Sequence, residues 1–504
     1  MKNVRWAKAI LDQLFQSGVD EIVVCPGARN APFIDVLAHW ENPKLHSFFE
    51  ERSAGFFALG RIAESGRPKA VITTSGTAVA NLLPAVIEAH YAGFPLVIVT
   101  ADRPRSYRGT GSPQTIVQPG IFTEYARSLG DWERGELSHL SLPLDGPSHL
   151  NVCFDEPLID EAITNWAAKP SVLSPVEEDT DTDDKKTLTA FQQTTKRPLI
   201  LVGGISAARR ELVFNWLKKQ NCPMYLEGTS GLRGALPEWE LQAAEKTAKL
   251  PAFDSVIRIG QVPTLRLWRD LEKAPTPVLS ISDLPFSGLA RTDANVLKLS
   301  RSLLENVVFD YFGPTEILAR DREEHQRLLK LINEFPQSEP ALVHQLSQAM
   351  HADDSVYLGN SLPIREWDLA ARRDVCFART FGNRGVNGID GQVSSFIGWA
   401  KPTTRNWAVL GDLTTMYDLS GPWALKSRPL NDVRLIIINN GGGKIFRPMF
   451  NQPLFENRHE TSFEKWAAMW NMPYAKWLGG AEIHAGVTEV FPDEAQTAKF
   501  RGLW

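Results

Sequence analysis

Cysteine is scarce: four residues in 504, at Cys25, Cys153, Cys222 and Cys376, with no Cys-x-x-Cys spacing. That argues against a zinc site or a disulfide framework and leads us to expect a reducing, cytoplasmic setting. No apolar run approaches the length of a membrane span, so no membrane partner is expected. Lys2, Arg5, Lys8 and then Asp12 fall inside an amphipathic pattern, which is not that of a secretion leader. Positive charge is not in excess: 54 Lys and Arg face 59 Asp and Glu, a net charge of −5, which gives no general attraction to nucleic acid. No internal repeat at solenoid periods is visible. What remains is an ordinary globular composition, 43% hydrophobic and 22% charged, on a chain too long for one core. Its length suggests about three domains.

Taken in order, the chain alternates strand and helix. Trp6, Ile10, Leu11, Leu14 and Phe15 recur at helical spacing, closed by Gly18. Strands are expected over 21–25, 44–49, 70–73 and 95–100, with helices over 53–64 and from 77 to about 92. The loops that follow these strands read Pro26-Gly27-Ala28-Arg29-Asn30, Glu50-Glu51-Arg52, Thr74-Ser75-Gly76-Thr77 and Ala101-Asp102-Arg103-Pro104. This alternation predicts a parallel sheet with its functional loops at one edge. From Ser174 the composition changes, and the acidic run 177–184 predicts a solvated linker over 174–196. A second α/β region opens at Arg197, with a strand over 199–202 and a helix over 206–219. It has no Gly-x-Gly-x-x-Gly, so Gly203-Gly204 reads as a turn and not as a dinucleotide site. A third region starts near Pro336 and Pro340, with a helix over 341–350 and a strand over 355–358. The expectation is three doubly wound α/β domains: 1–173, 197–335 and 336–504.

The most informative stretch runs from Gly411 to Phe446. A short apolar strand over 407–410 ends in Gly411-Asp412, and a β-branched strand over 435–438 ends in Asn439-Asn440-Gly441-Gly442-Gly443. The interval leaves room for one helix, so a β-α-β unit is predicted. Ligands bind at the carboxyl ends of strands in such units, where Asp412 and Asn440 both fall. One carboxylate, one amide oxygen and one backbone carbonyl suit a hard divalent cation that also takes oxygens from a phosphate. The glycines let the backbone approach a diphosphate closely. The pattern Gly-Asp, a gap, then Asn-Asn resembles the thiamine-diphosphate binding motif; two ordinary turns are the alternative. That cofactor also needs a carboxylate on its pyrimidine ring, and Glu51, at a strand-to-helix junction, is the candidate. Otherwise Glu50 or Glu51 only favours a helix start.

A more specific resemblance rests on stretches at both ends of the chain. In the first region they are Cys25-Pro-Gly-Ala-Arg-Asn30, Phe49-Glu-Glu-Arg52, Thr74-Ser-Gly-Thr-Ala-Val-Ala-Asn81, Thr100-Ala-Asp-Arg-Pro104 and Gln118-Pro-Gly-Ile-Phe122. In the third they are Gly359-Asn-Ser-Leu-Pro-Ile-Arg365, Asn383-Arg-Gly-Val-Asn-Gly-Ile-Asp-Gly391, Gly411-Asp-Leu and Asn439 to Phe446. They resemble the 2-succinyl-5-enolpyruvyl-6-hydroxy-3-cyclohexene-1-carboxylate synthase family, thiamine-diphosphate enzymes of menaquinone biosynthesis.

The resemblance implies decarboxylation of 2-oxoglutarate and 1,4-addition of the resulting enamine to isochorismate, with Mg2+ or Mn2+ as the cation. It implies pyrimidine-binding, central and diphosphate-binding domains, and a homodimer or dimer of dimers whose site is completed across subunits. Arg29, Arg103, Gln114, Ser361, Arg365 and Arg384 would hold substrate or intermediate, as suits substrates bearing several carboxylates. Asp412, Asn440 and the Gly442 carbonyl would hold the metal. Glu51, Ser75, Gly76 and Thr77 would contact the cofactor from the first domain, and Gly411, Leu413 and Thr414 from the third. Ile389 would wedge the bent cofactor, with Ile445 and Phe446 lining the pocket; ordinary core packing is the alternative for these three.

Four positions depart from the family. Ala28 and Asn30 replace hydroxyl residues beside Arg29, which bears on one substrate hydrogen bond there. Pro113 stands where asparagine is common. Arg266 is the nearest counterpart of a central-domain lysine. The last strand or helix is expected to be shortened at Trp504. Two other readings stay open at this point: a different thiamine-dependent 2-oxo acid decarboxylase or carboligase, and a non-catalytic α/β binding module.

Overall fold

The computed structural model describes the chain apart from residues 41–43, 164, 165, 167–170, 172–181, 306, 314, 315, 451 and 481. Three sheets organise it, and every pairing in them is parallel. The first holds β1 (Ile22–Val24), β2 (Leu45–Ser47), β3 (Lys69–Thr73), β4 (Leu96–Asp102), β5 (Arg127–Glu133) and β6 (Ser148–Cys153), in the order β2-β1-β3-β4-β6-β5. The second holds β7 (Pro198–Val202), β8 (Met224–Leu226), β9 (Ser255–Ile259), β10 (Val278–Ser282) and β11 (Asn295–Lys298), in the order β11-β10-β9-β7-β8. The third holds β12 (Ser355–Leu358), β13 (Arg379–Phe381), β14 (Asn406–Gly411), β15 (Val433–Ile438), β16 (Tyr474–Trp477) and β17 (Gly486–Val490), in the order β13-β12-β14-β15-β17-β16. This is the expected fold class.

The first and third sheets share one topology: each starts in the middle, steps one way, then crosses back. Strand order therefore reverses between β1 and β3, and between β12 and β14. At such a reversal the two following loops diverge to opposite faces and leave a crevice at the carboxyl ends. The motif loops after β1, β3, β12 and β14 all lie at these reversals.

The chain divides into two compact units. One comprises Met1–Val176, Asp390–Ala400 and Tyr417–Leu430; the other comprises Glu177–Ile389, Lys401–Met416 and Asn431–Trp504. In the first unit, the predicted face of helix Asn3–Gln16 is buried through Trp6, Ile10, Leu11, Leu14 and Phe15. Phe15 packs on Trp40 with ring centres 4.6 Å apart. Helix Glu51–Ser65 crosses helix Gln392–Trp399 at glycine: a Cβ on Gly60 would stand 2.1 Å from the Ser395 carbonyl, and one on Gly398 would stand 2.3 Å from that of Phe57. Any side chain at either position would force the two backbones apart. In the second unit β14 and β15 are almost wholly buried, which explains their unbroken apolar runs. Each buried Val, Leu or Ile contributes about 1.5–3 kcal/mol to such a core.

Two expectations are corrected. Residues 174–196 are not one solvated linker. The stretch 172–181 lies outside the described residues, but Thr182–Thr194 is a helix. Leu188 is buried in the core on the second sheet and Phe191 packs against it, an i, i+3 pair that the neighbouring charges obscure in the sequence. The crossover between β14 and β15 is not one helix either. A five-residue helix, Asp412–Met416, is followed by a 3₁₀ turn, Gly421–Lys426, and the latter groups with the first unit. Asp418 breaks the segment: its carboxylate accepts from the Ser394 amide and from the Ser53 and Ser394 hydroxyls instead of remaining on a helix surface. At the chain's end, Glu494–Leu503 is a ten-residue helix.

Candidate active site

The predicted site residues fall into two groups, one on each unit. In the first unit the loop after β1 is closed by Asn30, which is fully buried. Its Oδ1 accepts from the Gly27 amide at 2.9 Å and its Nδ2 donates to the Cys25 carbonyl at 2.9 Å. Asn30 thus faces into its own loop, a role the sequence did not indicate. Arg29 beside it is 7% exposed and donates to the Phe154 carbonyl at 3.1 Å. Desolvation, and next the like charge of Arg103, hold its guanidinium below the usual range.

Arg103, in the loop after β4, lies over the Tyr107 ring at 5.4 Å and donates to the Pro113 carbonyl at 3.3 Å. Gln114 follows with φ 54°, an uncommon left-handed backbone for a residue with a side chain. A Cβ on Gly76 would stand 3.3 Å from the Gln114 Cα, so the two loops touch. The Gly76 amide donates to Gln118 Oε1 at 3.0 Å. Behind Gln118 runs a chain of polar groups, buried at Gln118 and Asn151 and partly exposed at its far end. Its Nε2 donates to Asn151 Oδ1 at 2.8 Å, Asn151 Nδ2 donates to Asp131 at 2.8 Å, and Arg108 pairs with Asp131 at 2.7 Å. The sequence reading missed this support because it rests on β5 and β6, whose polar residues hide them as strands.

Glu50 and Glu51 separate cleanly. Glu50 is the N-cap of helix Glu51–Ser65, accepting from the Arg52 amide at 3.0 Å and the Ser53 amide at 2.9 Å. Glu51 is half-buried and makes no cap. Desolvation first raises its carboxyl above the usual range, while its own backbone and the Asn81 side chain pull the other way.

In the second unit the loop after β12 carries Ser361, at φ 73°, the start of helix Leu362–Ala370. Arg365 Nη1 donates to the Ser361 carbonyl at 2.6 Å. Asn360 Nδ2 donates to the carbonyls of Asn383 and Gly388, both at 2.7 Å, and its Oδ1 accepts from Arg384 at 2.7 Å. These bonds tie the Gly359-Asn-Ser loop to the Asn383-Arg-Gly loop. Arg384 is 6% exposed with its Nε buried and unpartnered, and Glu227 of the central region is 4.0 Å away. Desolvation and the adjacent Arg384 hold Arg365 below the usual range. Among the described residues no carboxylate stands within ion-pair distance of Arg365 or Arg103. Arg266 is exposed and pairs with Asp270 at 3.1 Å on its own helix; Glu245 senses both Arg365 and Arg266.

Asp412 lies at the end of β14, following Gly411, with Leu413 half-buried and Thr414 buried behind it. Its Oδ2 accepts from the amides of Gly441 at 2.9 Å and Gly442 at 3.0 Å, and its Oδ1 from that of Leu413 at 2.6 Å. The loops after β14 and β15 therefore meet, as the strand ends predicted. His459 Nε2 stands 3.2 Å from the same Oδ2. Asn440 Oδ1 is buried without a hydrogen-bond partner, while its Nδ2 donates to Glu339 Oε2 at 3.0 Å. Gly442 has φ 132°, and a Cβ there would stand 2.3 Å from the Glu456 carbonyl, so only glycine fits.

An orphaned amide oxygen beside a carboxylate and a tight glycine backbone fits a hard cation with a diphosphate, because all the donors are oxygen. Among the described residues no three His, Cys, Asp or Glu side chains gather as a metal site, and this set has a single carboxylate. Ile389 and Ile445 are half-buried and Phe446 is 38% exposed, so none of the three is used as core.

Residues 4–121 match the family model described as thiamine pyrophosphate enzyme, N-terminal TPP binding domain. Related proteins align along nearly the whole chain. One from Bdellovibrio bacteriovorus is 45% identical over 95% of this chain and 92% of its own length. One from Akkermansia muciniphila is 36% identical over 98% and 97%. One from Lysinibacillus sphaericus is 29% identical over 97% and 95%. Each bears the name 2-succinyl-5-enolpyruvyl-6-hydroxy-3-cyclohexene-1-carboxylate synthase.

Proposed function

The chain belongs to the 2-succinyl-5-enolpyruvyl-6-hydroxy-3-cyclohexene-1-carboxylate synthase family, and on that premise we propose that it joins 2-oxoglutarate, with loss of CO2, to isochorismate in menaquinone biosynthesis. The observation that carries this reading is 45% identity to a named synthase along 95% of the chain. Bound thiamine diphosphate supplies the nucleophilic carbon chemistry that decarboxylates a 2-oxo acid and transfers the remaining fragment. The protein's part is to bind, orient and manage protons. Asp412, Asn440 and the Gly442 carbonyl hold Mg2+ or Mn2+ against the diphosphate, supported by the orphaned Asn440 oxygen. Glu51 holds a proton against the pyrimidine ring, supported by its freedom from capping and its raised carboxyl. Ser75, Gly76 and Thr77 contact the cofactor from the first unit, and Gly411, Leu413, Thr414, Ile389, Ile445 and Phe446 from the second.

Arg29, Arg103, Gln114, Ser361, Arg365 and Arg384 receive the substrates' carboxylates. Among the described residues no carboxylate stands within ion-pair distance of Arg103 or Arg365, which leaves their charge available. In this reading 1–173, 197–335 and 336–504 are the pyrimidine-binding, central and diphosphate-binding domains, and the chain acts in the cytoplasm as a homodimer or dimer of dimers. Among the described residues no helix is long and apolar enough to cross a membrane.

The test is product formation from 2-oxoglutarate and isochorismate with thiamine diphosphate and Mg2+, with pyruvate as the competing donor. Faster CO2 release from pyruvate than from 2-oxoglutarate would transfer the chain to another thiamine-dependent reaction. Arg365→Ala and Arg384→Ala are each expected to lower turnover with 2-oxoglutarate roughly tenfold to a hundredfold, the worth of one charge-assisted contact of about 1.5–3 kcal/mol. Cofactor binding should hold; unchanged kinetics in both variants would remove these arginines from the substrate site. Glu50→Gln is expected to cost about 1 kcal/mol of stability through the weakened cap. Its turnover should stay near wild type, and a loss exceeding that of Glu51→Gln would make Glu50 the acid–base residue.

A further inference from the structure

Asn440 can serve a cation only through its oxygen, and among the described residues no hydrogen bond from its own loop fixes which way the amide faces. The neighbour that decides is remote in sequence. Glu339 is the first residue of helix Glu339–Gln348 and is 3% exposed. Its backbone amide donates to Thr497 Oγ1 at 3.0 Å, and the preceding Ser338 caps the helix through the Ala341 amide. The residue is thereby held from both sides before its side chain does anything. Glu339 Oε2 accepts from Asn440 Nδ2 at 3.0 Å. Burial and next the like charge of Glu366 push the Glu339 carboxyl up to about 8, while Arg501, which pairs with Glu366, pulls the other way.

An amide has one donating and one accepting end. An accepting carboxyl oxygen on one side takes the NH2 end and turns the oxygen to the other side. That is the arrangement here, with Asn440 Oδ1 buried and unpartnered. We propose that Glu339 is a positioning residue that locks the Asn440 amide with its oxygen toward the divalent cation of the diphosphate site. The inference rests on the reading of Asp412, Asn440 and Gly442 as the groups that hold that cation. Without the Glu339 acceptor, Asn440 would rotate and present its NH2 group to the cation for part of the time. Residues that orient metal ligands in this way are typically worth 10–100-fold in metal affinity.

The test compares the full-length wild type with Glu339→Met, which keeps the volume and removes the acceptor, and Glu339→Gln, which removes the charge and keeps an acceptor oxygen. The readouts are the Mg2+ concentration for half-maximal thiamine diphosphate binding, followed by tryptophan fluorescence, and the Mn2+ affinity of the cofactor-loaded protein from the free-ion EPR signal. Glu339→Met is expected to raise the Mg2+ concentration and to lower the Mn2+ affinity, each about tenfold to a hundredfold, with cofactor affinity recovering at saturating Mg2+. Glu339→Gln should lose much less. Because the effect passes through one side chain, Glu339→Met in an Asn440→Ala background should add almost nothing.

Equal losses in the Met and Gln variants would mean that only charge or packing matters, and would overturn the proposal. So would additive losses in the double variant, or a wild-type Mg2+ requirement in Glu339→Met. Should Glu339→Met not fold, Glu339→Ala makes the same comparison. If Asp412→Ala loses the cation and Glu339→Met does not, only the positioning role falls. If wild-type cofactor binding is indifferent to Mg2+, the cation site falls and takes the positioning role with it.

Discussion

Glutamine in place of Glu51 is expected to lower CO2 release from 2-oxoglutarate by about 10²–10⁴-fold, the usual worth of a positioned acid–base group. Cofactor affinity should change only modestly. The expectation follows from a division of labour between adjacent carboxylates. Glu50 spends both oxygens on the helix start, one on the Arg52 amide and one on the Ser53 amide and the Ser420 hydroxyl. Glu51, half-buried and outside that cap, keeps a carboxyl raised chiefly by desolvation and so holds its proton more readily than an ordinary glutamate. Glutamine keeps the size and an acceptor oxygen but cannot pass a proton. Hydrogen exchange at C2 of bound thiamine diphosphate and CO2 release should therefore fall together. Exchange at the wild-type rate in Glu51→Gln would mean that the wrong carboxylate has been chosen.

The same raised carboxyl gives a stability signature with a definite sign. A carboxyl whose pKa is higher folded than unfolded contributes stability below its unfolded pKa, and loses that contribution as pH rises through the folded value. Glutamine has no such titration. The unfolding midpoint of Glu51→Gln should thus gain on wild type as pH rises across the carboxylate range. A difference that shrinks over the same range would contradict the raised value.

Asp412→Ala carries the second large expectation: loss of thiamine diphosphate retention even at saturating Mg2+. Two effects combine. The single carboxylate of the proposed cation set disappears, and so do the acceptors for the Leu413, Gly441 and Gly442 amides. Hydrogen bonds to a charged group are worth about 1.5–3 kcal/mol each, so losing even one costs roughly tenfold to a hundredfold in cofactor affinity. Asp412→Asn separates the two contributions, because its amide oxygen can still hold one loop amide while the charge is gone. It should bind cofactor more weakly than wild type and better than Asp412→Ala. Wild-type affinity in Asp412→Ala, measured with Mg2+ present, would remove Asp412 from the cation site.

Much of this was legible without coordinates. The short apolar runs within β3, β4, β14 and β15, each followed by glycine or polar residues, read as buried strands, and their alternation with helices predicted a parallel sheet. That places the loops with Ser75, Arg103, Asp412 and Asn440 at strand ends. What the pattern missed was polar or short. β5 reads Arg-Ser-Leu-Gly-Asp-Trp-Glu, and among the described residues it pairs with β6 alone, at the sheet's edge. β6 buries His149 and Asn151, and no periodicity announces a buried polar residue. The acidic charges around Thr182 hid a helix held by Leu188.

The sequence alone determined the α/β alternation, the positions of the motif loops and the residue types in them, because these depend on local period and turn chemistry within a few positions. Only the tertiary structure decided how those residues are held. Strand order set which loops flank the reversals at β1/β3 and β12/β14. Packing made Glu50 the cap and left Glu51 free of it. Asn440 meets Glu339 across 101 positions of chain. No local pattern encodes such a pairing; it exists because the fold brings a strand end and a helix start within hydrogen-bond reach.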